Sequence, residues 1–226
     1  MGVCRGAVGR LGLGMEVVVF SLFAVAAAIG ALHSKLLSAR ARAKRALKNA
    51  PCISVSDAKD GQLVKLVGRL QFAGEPLSAP ISGKPCAYFC TVAWGDEKRT
   101  AQESDFCRRF WIEDGSGRAL VEMGYPTFVV SMDADFRVGY FKKATPRMAA
   151  FLERHHMGSH RFGLRCEEGV LEEGETVAVY GLCRREPDPD PRAPNDGYRG
   201  RPTRLCIVEP PLGEMLISDD PKVFAQ

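Results

Sequence analysis

Short runs that alternate apolar and polar residues, rich in β-branched and aromatic side chains, recur along most of the chain. They are Leu63–Phe72, Cys86–Trp94, Phe106–Glu113, Arg118–Met123, Thr176–Arg184 and Leu205–Glu209, with a terminal Met215–Ser218. Period-two alternation turns one side of each run inward, and Gly, Pro or Asp bounds most of them, so they predict short strands. Asp114-Gly-Ser-Gly117 separates two runs and supplies the positive-φ residues of a tight hairpin turn. So many strands at short spacing leave exposed edges unless the sheet closes, which predicts a small antiparallel barrel.

Two segments break this period. Pro146–His156 places Met148, Phe151 and Leu152 on one helical face, with Arg147, Glu153 and Arg154 elsewhere, and predicts a single helix covering a barrel end. Val17–Ser34 carries no formal charge and would span about 27 Å as a helix, with Glu16 and Lys35 able to snorkel at its ends. It predicts a membrane anchor, although Arg5, Arg10 and the Ala-rich run also fit a cleaved signal peptide. Met15 is a candidate start, since Met1–Gly14 is Gly-rich and Arg-containing.

Charge then gives the anchor a direction. Lys35, Arg40, Arg42, Lys44, Arg45 and Lys48 follow it with no acid among them, whereas Arg5 and Arg10 precede it, so the C-terminal side is expected in the cytosol. A polybasic stretch there lies beside anionic headgroups, where each charge contributes roughly 1 kcal/mol, and the six residues are the expected headgroup contacts. The neck alone carries +6, more than the net charge of +4 of the whole chain. The rest of the chain, beyond Lys48, is mildly acidic, which argues against a nucleic-acid partner. Seven of the eight cysteines lie after the anchor, several inside apolar strand-like runs, and are expected to be reduced.

The chemical signals are weak on spacing. His155, His156, His160 and Cys166 are close in sequence, but adjacent histidines point to different faces of a helix and no Cys-x-x-Cys pair accompanies them. Cys86 and Cys90, four apart on one strand, would share a face about 13 Å apart, beyond a disulfide. Ser116 lacks the glycine two places earlier that a nucleophile elbow requires, and Gly115-Ser-Gly117 lacks the third glycine of a dinucleotide loop. Glu167, Glu168, Glu172, Glu173 and Glu175 surround a turn before Val177 and read as a solvated rim. No catalytic residue, cofactor or metal site is expected.

Three segments in order resemble the GIDE, or beside-a-membrane, domain of organelle-anchored ubiquitin ligases and bacterial membrane proteins: Ile81-Ser-Gly-Lys-Pro-Cys-Ala-Tyr88, Phe110–Val121, and Glu168–Gly181. Leu216-Ile-Ser-Asp219 resembles that domain's closing strand. The resemblance implies an OB-like β domain beside a membrane and carries over no catalytic residue. In the ligases, ubiquitin transfer belongs to a separate zinc-binding RING with paired Cys and His ligands, and no such pairs occur here.

The expected organisation is therefore mainly β. An N-terminal tail (1–14) and a transmembrane helix (15–34) lead into a basic juxtamembrane neck (35–56). A small OB-like antiparallel β-barrel domain with one helix completes it (57–226), with a Pro-rich mobile loop at 185–203. The expected function is a single-pass, membrane-anchored, non-catalytic binding or scaffolding module, with the lipid bilayer and a protein as partners. A RING-type ubiquitin-ligase relative and a small membrane-tethered hydrolase are the alternatives.

Overall fold

The computed structural model describes residues 39–95, 100–138, 144–157, 163–189 and 203–224. The chain divides into two compact units, Met1–Arg42 and Ala43–Gln226. Residues 39–42 of the first are helical. The expected membrane helix at 15–34, Lys35 and much of the loop at 185–203 lie outside the described residues. Among the described residues, no helix is long and apolar enough to cross a membrane.

Five strands of the second unit close a barrel. In chain order they are β1 (Leu63–Phe72), β6 (Arg109–Glu113), β7 (Arg118–Glu122), β11 (Thr176–Pro187) and β12 (Thr203–Val208). The first residues of the expected loop, 185–187, thus belong to β11. Around the ring the order is β1-β6-β7-β12-β11, and β11 returns to β1 with Leu63 opposite Leu182 and Arg69 opposite Thr176. The expected antiparallel ring is so at four junctions, but β12 runs parallel to β7, Leu205 to Ile207 beside Ala119 to Val121. The physical reason is connectivity: the β11–β12 hairpin folds back as a unit, and only a parallel β12 can seal the remaining gap against β7. Val64, Leu66, Leu70, Phe110, Ile112, Val121, Val179 and Ile207 fill the interior, all completely buried.

One strand must serve two neighbours. β1 pairs with β11 through Arg69 and with β6 from Arg69 onward. Gly68 sits at that transfer, where an added Cβ would lie 2.7 Å from the Glu113 carbonyl carbon and closer still to its oxygen. The absent side chain lets β1 press against β6.

A second, four-stranded sheet is assembled from two excursions of the barrel chain. β4 (Tyr88–Trp94) and β5 (Thr100–Phe106) leave between β1 and β6, while β9 (Ala134–Val138) and β10 (Leu164–Leu171) leave between β7 and β11. They combine as β5-β4-β10-β9. The remaining strands are β2 (Leu77–Ser78) paired with β3 (Pro85–Cys86), and β8 (Thr127–Val129) paired with β13 (Leu216–Ser218), which extends the barrel wall at β11.

Residues 43–49 of the second unit are helical and are called α1. Its Ala43 and Leu47 are buried beside Val129, Ala178, Leu216 and Val223, and Ala50, directly after it, is buried too. Helix α2 (Pro146–Arg154) buries Met148, Phe151 and Leu152 as its period requires. It does not cover a barrel end, however. Those three side chains pack with Ala93, Ala101, Leu164 and Cys166 of the second sheet, whose apolar face would otherwise be open.

Thr145 caps the start of α2 by accepting from the Met148 N–H at 3.3 Å, and Pro146 occupies the first turn, where its missing donor costs nothing. At the other end His156 adopts φ 55°, donating to the Glu153 carbonyl at 3.0 Å, while Met157 donates to Leu152 at 2.8 Å. This left-handed cap normally belongs to glycine. His156→Gly is therefore expected to raise stability by about 1 kcal/mol, read as a higher urea midpoint. An unchanged or lower midpoint would show that the His156 side chain makes up for its backbone.

Candidate functional site

Five of the six basic positions, all but Lys35, are among the described residues, and they divide by burial. Arg40 and Arg42 of the first unit are exposed, as are Arg45 and Lys48 of the second. Lys44 is 42% exposed and pairs with Asp220. In the second unit the apolar side of α1 is thus spent on the barrel wall, which leaves Arg45 and Lys48 on its solvent side.

Beneath this part of α1 lies the segment from Ser218 to Phe224. Asp220 accepts from the Lys222 N–H at 2.9 Å and opens a 3-10 turn, Pro221–Val223. Its own N–H donates to the Ser218 hydroxyl at 3.1 Å, and that hydroxyl donates to the Val129 carbonyl at 2.7 Å. The Val223 carbonyl accepts from Lys65 Nζ at 3.0 Å; Lys65, on the outer side of β1, is completely buried there. The hydrogen bond from Lys44 holds the Asp220 carboxyl below the usual carboxylate range. Nothing in the sequence patterns pointed to Lys65 or Asp220 as parts of this assembly.

The acidic segment departs from its expected solvated rim most at one residue. Glu168 is 1% exposed, and its carboxylate accepts from Ile81 N at 2.9 Å, Ser82 N at 3.0 Å and the Thr91 hydroxyl at 3.1 Å. It pins the turn before Gly83 to the second sheet. Glu168 and the Ile81–Tyr88 segment, which belong to the third and first segments of the domain resemblance, meet through this carboxylate. Glu172 conforms to a rim and pairs with Lys84 at 2.6 Å. Burial raises the carboxyls of Asp133, Glu175 and Asp219 above their ordinary range, and neighbouring carboxylates add to the effect.

The other signals resolve into structure. His155 Nε2 meets Glu103 at 2.8 Å, Cys166 is buried in the core beneath α2, and His160 lies outside the described residues. No group of three His, Cys, Asp or Glu among the described residues could hold a metal ion. Cys86 and Cys90 occupy different strands and clusters, because the chain breaks at Ala87 and turns the two thiols to different sides. Burial pushes the Cys86 and Cys166 thiols up to about 12 and those of Cys183 and Cys206 up to about 11, which suppresses thiolate chemistry. Asp114 does close the β6–β7 turn: burial opposes its ionisation, but donors from Ser116, Val55 and Gly117 outweigh that and hold it low. The positive φ belongs to Gly115, at 83°, rather than to Gly117.

No protein-family profile matches the chain, and no solved structure matches it. A protein of Arabidopsis thaliana called an uncharacterized membrane protein is 29% identical over 157 aligned positions, which take in 60% of this chain and 33% of the relative. The match thus spans about a third of the relative's length.

Proposed function

We propose that the chain is a membrane-anchored, non-catalytic binding or scaffolding module of the beside-a-membrane type, its barrel OB-like and its single anchor the Val17–Ser34 run. The observation that carries this reading is the division of α1. Ala43 and Leu47 are buried against the barrel wall while Arg45 and Lys48 stay exposed, so a basic surface belongs to the folded domain and comes shortly after an uncharged run in the sequence. Such a surface suits anionic headgroups. Supporting it, the relative from Arabidopsis is called a membrane protein. The five-strand ring, with its third and fifth strands side by side, supports the OB-like reading, since an OB-fold is a five-stranded Greek-key barrel. The basic excess after the anchor supports a cytosolic domain, with a protein as its further partner.

Alkaline carbonate extraction tests the anchor: the full-length chain is expected to remain in the membrane pellet. Recovery from the supernatant of a form lacking Val17–Ala27 would favour a signal peptide instead.

A further inference from the structure

Lys44 and Asp220 join two elements whose contact is otherwise apolar. Ala43 and Leu47 of α1 pack with Val223 and Phe224, and the 3-10 turn between Asp220 and Phe224 is held by Asp220 at its start and by Lys65 at its end. The ion pair is open to water at its lysine end, with Lys44 42% and Asp220 17% exposed. Pairs open to water at one end contribute little net stability, so a competing anion at high local concentration can displace the carboxylate from the Lys44 side. A second ammonium, that of Lys222, stands two residues from Asp220, and its charge also favours the ionised carboxyl. The carboxylate therefore lies where a phosphate would meet two cations.

We propose that Asp220 holds the place of an anionic lipid phosphate, so that a charged bilayer surface displaces it from Lys44 and opens the clasp Asp219–Phe224. The inference rests on the membrane-anchored reading and adds regulation to the same basic surface. Lipid charge, on this view, sets how firmly the 3-10 turn is held against the buried Lys65. The phosphate could come from a headgroup or from free solution, and only the headgroup is concentrated beside a tethered domain.

Amide hydrogen exchange of the full chain in vesicles reads the clasp through the Lys222, Val223 and Phe224 N–H groups, which are bonded within the turn. Relative to phosphatidylcholine alone, vesicles with about 30 mol% phosphatidylserine are expected to speed their exchange about two- to fivefold, the range of an exposed ion pair. Inorganic phosphate at matched ionic strength is expected to leave it unchanged. An equal rise with inorganic phosphate would overturn the lipid source. Lys44→Gln should exchange rapidly in both vesicles and lose the dependence on lipid charge. Persistence of that dependence would overturn the role of Lys44.

Equal exchange of the unsubstituted chain in the two vesicle types overturns the clasp, whatever the variant does. Failure of the anchor is seen separately, as loss of the chain from the vesicles in alkaline carbonate. In that case the same two vesicle types, added from outside, decide the clasp by the same criterion.

Discussion

Replacing Glu168 by Leu is expected to destabilise the full chain by about 3–5 kcal/mol, measured as a shift in the urea midpoint in detergent. The side chain is 1% exposed and takes three donors, two of them backbone N–H groups of the turn before Gly83. Leu has similar bulk but accepts nothing, so Ile81 N, Ser82 N and the Thr91 hydroxyl would lose their acceptor together. Glu168→Gln retains one oxygen and turns an amide toward at least one donor, so an intermediate loss is expected. A change under about 1 kcal/mol for Leu would mean that water reaches the turn and replaces the carboxylate.

Gly68→Val should cost about 3 kcal/mol or more, because the clash is with backbone and not with a side chain that can rotate away. Its Cβ would stand 2.7 Å from the Glu113 carbonyl carbon and 3.0 Å from Ile112 Cγ1, at the point where β1 changes partner. Relief requires β1 and β6 to separate, which opens the ring. Gly74→Ala provides the contrast, with nothing within 4 Å of its added Cβ, and is expected to be nearly silent. Equal effects from the two substitutions would argue against a steric origin.

Local pattern carried the barrel strands and failed where strands depend on distant partners. Leu63–Phe72 has the bounds read from alternation alone, and α2 buries the three side chains its period selects. β5, by contrast, reads Thr-Ala-Gln-Glu-Ser-Asp-Phe, the polar composition of an edge strand paired on one side only, and has no apolar alternation to find. Glu168 was hidden for a related reason, since its donors lie 77–87 residues away. A signal was nevertheless present. Leu164, Cys166, Glu168 and Val170 share one parity of β10 and are all buried, so the glutamate occupies a core position of an otherwise apolar row. The basic row was legible from charge alone, but its clasp was not, because Asp220 and Lys65 come together beneath it only after the barrel has closed.

The pairing of β1 with β11 also sets a schedule for synthesis. β1 leaves the ribosome before the other strands, and Leu63 meets its partner Leu182 only after both excursions and most of the barrel have been translated. At about 5–20 residues per second that delay is on the order of ten seconds. For that interval a strand bearing Val64, Leu66 and Leu70 has an unpaired edge, and neither half of the second sheet has its other half. Nascent chains of this protein should therefore depend on a holding chaperone until β11 and β12 emerge, and slowed elongation across residues 64–182 should lengthen the period of aggregation risk rather than help folding.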